Sequence, residues 1–264
     1  MPAADDGASV EVALLEHAWV GVPRGPGVPE LVFLHEGLGS VAMWKAFPHD
    51  LCSDLGLAGF VYSRRGYGRS PPRPPAERWS PRFLHVQAWD VLPRLLAHHR
   101  IERPFLFGHS DGGSVALLHA ARHPAAGVVV LAPHLFVEDV SVASIREARV
   151  AYEQGDLKCG LAKYHDDPDS AFYGWNGVWL SDAFRAWNLE ADVASIEAPV
   201  LAMQGTDDVY GTMAQIRRLA ELLTGKVRLI EIPACGHSPH RDQPARVVRE
   251  TGSFVREILS RASS

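Results

Sequence analysis

The serine in Gly108-His109-Ser110-Asp111-Gly112 is the residue of this chain best placed for covalent chemistry. An apolar run, 104–107, leads into the pentapeptide, and the small-residue stretch 113–118 leads out. Strand, sharp turn and helix in that order hold a serine on a strained elbow, with its hydroxyl exposed at the end of a sheet. A Cβ at either flanking glycine would crowd the turn. The helix beyond Ser110 would aim its free N–H groups and positive end at the place where negative charge develops. A serine hydroxyl attacks only after a base takes its proton, and the base needs an acid to hold its tautomer. Both follow in the order such an elbow requires. Gly205-Thr206-Asp207-Asp208 offers the acid, and His237, in Cys235-Gly236-His237-Ser238, offers the base. His240 competes with His237 on residue type alone.

These groups need elements to carry them. Strand patterns are expected at 31–34, 59–63, 105–107, 128–131, 200–203 and 227–232, with helices at 81–98, 114–122, 214–223 and 245–260. Two further runs, 10–15 and 17–22, read as an opening antiparallel pair. Alternating strands and helices imply parallel βαβ units with right-handed crossovers. The serine, the acid and the base would then all lie past the C-terminal ends of strands, on the edge where open α/β sheets bind ligands. Between 134 and 195 no strand is expected, although a simple connection needs only a handful of residues. The domain reading is therefore a core of 1–133 and 196–264, with 134–195 as a helical cap. The cap is dense in aromatics, and Tyr173, Trp175 and Trp179 are its first candidates for an apolar substrate pocket. Packing of the cap's own small core is the competing reading for each of them.

With these motifs in view, the chain resembles the α/β-hydrolases, in the compact bacterial form that includes esterases, meta-cleavage-product hydrolases and cofactor-free haloperoxidases. The likeness runs through Leu31-Val32-Phe33-Leu34-His35-Glu36-Gly37-Leu38-Gly39-Ser40, then Val61-Tyr62-Ser63-Arg64-Arg65-Gly66-Tyr67-Gly68-Arg69-Ser70, the elbow, the Gly-x-x-Asp loop and the Gly-His loop. The resemblance implies a mostly parallel central sheet with helices on both faces and a helical cap. It implies Ser110 as nucleophile, His237 as base and Asp208 as acid, with Asp207 left open. Gly236-His237 fits the family's loop better than His240 does. The family commonly has His-Gly where this chain has His35-Glu36. The oxyanion donor is therefore expected at the backbone N–H of Gly37 or Leu38, paired with that of Asp111. His35, at a strand end, is expected as a structural hydrogen-bonding group or at the edge of the pocket. Asp111 would favour its helix N-terminus, or tilt the pocket against anionic groups.

Composition bounds the rest. A length of 264 residues suits one α/β domain. The net charge of −5 offers no electrostatic footprint for nucleic acid or an anionic membrane. Residues 1–6 are acidic without an apolar core, unlike a signal peptide, and no apolar run reaches membrane-spanning length. Cys52, Cys159 and Cys235 lack metal spacing, and their odd number argues against a disulfide framework. The expected compartment is the cytoplasm, with no cofactor and no metal. A small-molecule substrate is the expected partner, and a homodimer is left open. The function expected is hydrolysis of an ester or thioester of a small apolar or aromatic acyl group through an acyl-enzyme. Two alternatives stand beside it. One is a C–C bond hydrolase of a meta-cleavage-type diketone, whose usual Gly-Asn-Ser-Met-Gly elbow differs from this one. The other is a non-catalytic small-molecule receptor that retained the pocket.

Overall fold

Period-two patterning in the strands divides the core into two layers. Val32, Leu34, Phe60, Tyr62, Leu106, Val128, Val130, Val200 and Ala202 face one layer. Leu31, Phe33, Val61, Phe105, Phe107, Val129, Leu131, Leu201 and Met203 face the other. Strands apolar on both faces belong in a sheet covered by helices on both sides. The computed structural model of the chain describes residues 11–223 and 225–262, and it shows this arrangement. The strands are β1 (His17–Gly21), β2 (Leu31–Leu34), β3 (Ala58–Tyr62), β4 (Phe105–His109), β5 (Gly127–Leu131), β6 (Val200–Gly205) and β7 (Val227–Ile232). They form one sheet in the order β1-β3-β2-β4-β5-β6-β7. Every neighbouring pair is parallel except β1 and β3, which pair antiparallel with His17 opposite Tyr62.

The chain therefore has the α/β-hydrolase architecture. One face of the sheet is covered by α1 (Phe47–Leu55) together with the C-terminal helix Pro244–Ala262. The other carries Phe83–Val86, Leu92–His98 and Asp111–Ala120. The expected opening pair of strands is corrected. Residues 1–10, including Val10 and the acidic 1–6, lie outside the described residues. Val12–Leu14 forms a single 3₁₀ turn, closed by the Leu15 N–H on the Val12 carbonyl at 3.2 Å. That turn drops Leu15 into the core and leaves Leu14 outside, so β1 takes β3 as its partner instead. The helix expected over 81–98 is also interrupted, by a π turn at Gln87–Val91. Pro93 follows directly and has no N–H to give the carbonyl four residues back, which is a standard cause of such a bulge.

Between β5 and β6 the chain runs through helices Asp139–Gln154, Leu157–Leu161, Pro168–Trp179 and Glu190–Val193, with a bridge joining Phe136 to Asn188 near the ends of the excursion. The third of these begins cleanly. Pro168 occupies its first turn, and the Asp167 carboxylate accepts the Ser170 N–H at 2.8 Å. Phe172, Trp175, Val178 and Trp179 recur at helical spacing and are buried, so this face turns inward. These helices touch the loops after β2, β3 and β4. His165 accepts the Gly68 N–H through Nδ1 at 2.9 Å, and its Nε2 lies 3.0 Å from the Leu38 carbonyl, to which it donates.

Candidate active site

The turn after β4 confines Ser110 to φ 53° and ψ −120°, a left-handed conformation that non-glycine residues rarely adopt. Its flanking glycines are sterically required. A Cβ on Gly108 would lie 2.3 Å from the Gly112 carbonyl oxygen, and one on Gly112 would lie 2.0 Å from the Leu34 carbonyl oxygen. The helix Asp111–Ala120 starts immediately afterwards, and Ser110 is 6% exposed beneath the helices of 134–195. A surface cleft of about 780 Å³ opens at the N-terminal ends of β2 and β4 and touches none of these residues.

Two loops complete the constellation. The loop after β6 packs on the loop after β7 so tightly that a Cβ on Gly205 would sit 2.1 Å from the Cys235 carbonyl oxygen. This close approach sets His237 against Asp208. Both Asp208 oxygens lie 2.9 Å from His237 Nδ1, and His237 Nε2 lies 2.9 Å from Ser110 Oγ. The carboxylate accepts the Nδ1–H, so Nε2 carries the lone pair that faces the serine hydroxyl. Asp208 also accepts the Tyr210 N–H at 2.8 Å and a Gln204 side-chain N–H at 3.1 Å. Burial works to raise its pKa, but the hydrogen bond and charge of His237 and the Tyr210 N–H outweigh it, and the carboxyl stays below its usual range. Asp207 is exposed, and its carboxylate turns to the Thr206 hydroxyl at 3.1 Å. His240 is buried among Trp44, Phe47 and His109, and neither ring nitrogen has a hydrogen-bond partner among the described residues. Burial, then the charge of His109, pushes its pKa down to about 2.

The remaining expected site residues divide. The N–H groups of Gly37, Leu38 and Asp111 meet no acceptor among the described residues. Trp175 presses on the loop after β2, where a Cβ on Gly37 would lie 2.2 Å from its Nε1. Trp179 donates from Nε1 to Asp111 Oδ1 at 3.2 Å, and its ring packs on His134. Asp111 is buried, and desolvation raises its carboxyl to about 6; Oδ2 has no hydrogen-bond partner among the described residues. Two pocket assignments are corrected. Tyr173 sits one residue round from the inward face of its helix, is 38% exposed, and meets the rings of Tyr152 and Phe172 edge to face. His35 is fully buried, donating through Nδ1 to the Glu36 carbonyl at 2.7 Å and accepting the Arg64 N–H at Nε2 at 3.0 Å, so neither nitrogen is left for a ligand.

Several neighbours were not anticipated. The Tyr210 ring lies 4.8 Å from that of His237. His134 lies 6.0 Å from it, with burial holding its pKa down to about 3. Arg64 is a buried cation that donates to the His35 and Glu36 carbonyls at 2.6 and 2.9 Å, bracing the loop before Gly37. A polar residue inside an otherwise apolar strand run, as at Gln204, was the available signal. Cys52 and Cys235 are held as thiols, with burial raising them to about 12 and about 11. Among the described residues no helix is long and apolar enough to cross a membrane.

Comparison with known proteins agrees with this fold. Residues 31–250 match the model described as the alpha/beta hydrolase family. The 2-succinyl-6-hydroxy-2,4-cyclohexadiene-1-carboxylate synthase of Escherichia coli O1:K1 / APEC is 26% identical over 263 residues, covering 88% of this chain and 95% of that protein. Among solved structures, the enol-lactonase from Burkholderia xenovorans LB400 superposes with a TM-score of 0.70 at 22% identity, over 92% of this chain and 96% of that one. The proline iminopeptidase of Mycobacterium smegmatis gives a TM-score of 0.72 at 17% identity, over 93% and 95%. At those identities the two structures speak for the fold.

Proposed function

This chain belongs to the alpha/beta hydrolase family, and on that premise we propose that it is a serine hydrolase, cleaving an ester or thioester of a small apolar or aromatic acyl group. The observation that carries the proposal is the continuous hydrogen-bonded line from Asp208 through His237 to Ser110 Oγ, each link 2.9 Å. Ser110 Oγ attacks the carbonyl carbon as its proton passes to His237 Nε2. Asp208 stabilises the imidazolium, and the N–H groups of Asp111 and of Gly37 or Leu38 receive the oxyanion. The C–O or C–S bond breaks, His237 returns the proton to the leaving group, and the acyl group stays on Ser110. Water, deprotonated by His237, then attacks the acyl-enzyme and releases the acid.

Trp175 and Trp179 support the acyl preference, since both indoles adjoin the loops that carry Gly37 and Asp111. The unpaired Cys52, Cys159 and Cys235 support a reducing, cytoplasmic setting. The family name alone does not set the reaction: the Escherichia coli relative is named as a synthase. The test is labelling by a fluorophosphonate followed by a chain-length series of p-nitrophenyl esters. Labelling at Ser110 with ester turnover is expected. Labelling without ester turnover, alongside cleavage of a vinylogous diketone, would move the assignment to C–C hydrolysis. Ligand binding with neither labelling nor turnover would move it to a receptor.

A further inference from the structure

Glu36 stands where the resemblance led to a glycine, and the ester mechanism makes no use of its side chain. The structure folds that side chain inward. A Cβ on Gly39 would lie 2.4 Å from its Oε2, so the loop's own glycine makes room for the carboxylate. Oε1 lies 3.0 Å from the Arg241 guanidinium, and Oε2 lies 3.5 Å from Nδ1 of His109, whose ring is wholly buried. The other ring nitrogen, Nε2, is 2.7 Å from the backbone carbonyl of His237. A carbonyl oxygen only accepts, so Nε2 carries a proton. The ring therefore donates to the backbone of the base, while Nδ1 faces the Glu36 carboxylate at ion-pair distance without a hydrogen bond among the described residues.

We propose that Glu36 and His109 form a second carboxylate–imidazole pair behind the catalytic one, and that this pair positions His237. Glu36 adjoins the oxyanion donor Gly37, His109 precedes the nucleophile Ser110, and the carbonyl that His109 holds belongs to the base. One carboxylate thus ties together the three loops whose relative placement sets the reaction geometry, and Arg241 anchors it from the helix beyond the base. The other groups facing His109 are the rings of His237 at 5.1 Å, His240 at 4.8 Å and Trp44 at 6.5 Å, with the Asp111 carboxylate nearby. Burial would raise the Glu36 carboxyl, but the neighbouring His109 ring and then the Arg241 guanidinium outweigh it and hold it well below its usual range. His240 stays neutral beside the pair. The positioning role rests on the serine-hydrolase reading; the Nε2 proton of His109 does not.

The test joins a spectroscopic signature to kinetics. Ring ¹⁵N shifts of the histidines in the wild-type protein at neutral pH, with His109→Gln used for assignment, are expected to show His109 protonated at Nε2. Glu36→Gln is expected to lower kcat on p-nitrophenyl acetate by about ten-fold, with KM little changed. The double variant Glu36→Gln/His109→Gln should be scarcely worse than either single change, because the two residues act as one unit. His109→Gln keeps an N–H for the His237 carbonyl and should lose less kcat than His109→Ala. A bare Nε2 on His109 in the wild-type protein overturns the proposal, and that result needs no variant to fold. An unchanged kcat in folded Glu36→Gln overturns it as well. A protonated Nε2 on His109 beside a Ser110 that neither labels nor turns over an ester would instead overturn the hydrolase reading, and the positioning role with it.

Discussion

Gly37 and Trp175 meet so closely that a Cβ on the glycine would fall 2.2 Å from the indole nitrogen. The cap therefore rests directly on the loop proposed to hold the oxyanion. Gly37→Ala should push either the loop or the indole aside, and a displacement near 1 Å in such a site costs roughly a hundred-fold in turnover. Adding Trp175→Ala to it restores the room. Steady-state kinetics of the single and double variants check this: partial recovery in the double variant is expected, and a further loss would show that the contact is not the cause.

Ser110→Ala should abolish fluorophosphonate labelling and lower ester turnover by several orders of magnitude, since triad members act as a unit. The fold should survive, because alanine is smaller than serine and Ser110 makes its β5 contact through the backbone, N–H to the Leu131 carbonyl at 2.9 Å. Near-wild-type activity with an unchanged melting curve would end the assignment of Ser110.

Adjacent aspartates should behave very differently. Asp208→Asn should cost roughly 10⁴ in turnover, because the amide favours the wrong imidazole tautomer. Asp207→Asn, whose carboxylate accepts the Thr206 hydroxyl at 3.1 Å, should cost far less. Paired kcat measurements decide, and the reverse order would transfer the acid's role to Asp207.

The two tryptophans should separate binding from packing. Trp175→Ala should shift the preferred acyl group to a larger one, with acetyl ester turnover retained, since each CH₂ buried in an apolar pocket gains roughly 0.8 kcal/mol. Trp179 also packs on Phe184 and Trp187, so Trp179→Ala should in addition cost about 3–5 kcal/mol of stability. A chain-length profile of unchanged shape in both variants would return these rings to the core.

Asp111 should make stability depend on pH with a definite sign. Desolvation raises its carboxyl from 3.8 to about 6. The folded state then binds its proton more tightly than the unfolded state, so the ionised form opposes folding. That penalty is absent at low pH, grows as the pH rises between these values, and is complete above 6. Asp111→Asn keeps an acceptor for the Trp179 N–H and removes the charge. It should stabilise the protein at pH 8 by up to about 3 kcal/mol, with the gain fading toward pH 4. Urea unfolding at both pH values measures it, and a gain that grows on acidification would contradict the assignment.

What the sequence alone determined is what neighbouring residues decide. The elbow was legible because its steric demands fall on Gly108 and Gly112, within two residues of Ser110. The two-layer core was legible because alternation along a strand dictates which face each side chain takes. The inward face of the helix Pro168–Trp179 carries Phe172, Trp175 and Trp179 at helical spacing, and Tyr173, expected in the pocket from its residue type, falls outside that face.

Tertiary structure decided what depends on segments far apart in the chain. Asp207 and Asp208 are alike in type and adjacent in sequence; the packing of Gly205 on the Cys235 carbonyl determines which of them meets His237. His35 could have faced a pocket until Arg64, from the next strand's loop, took its second nitrogen. Residues 12–14 could have continued as strand until Leu15 found the core. Glu36 read as a departure from a pattern, and only the approach of His109 and Arg241 from two other loops gives its carboxylate partners. The physical reason is common to all of these. Backbone sterics and periodicity act between neighbours, whereas a side-chain hydrogen bond across loops exists only after distant strands have set those loops a few ångströms apart.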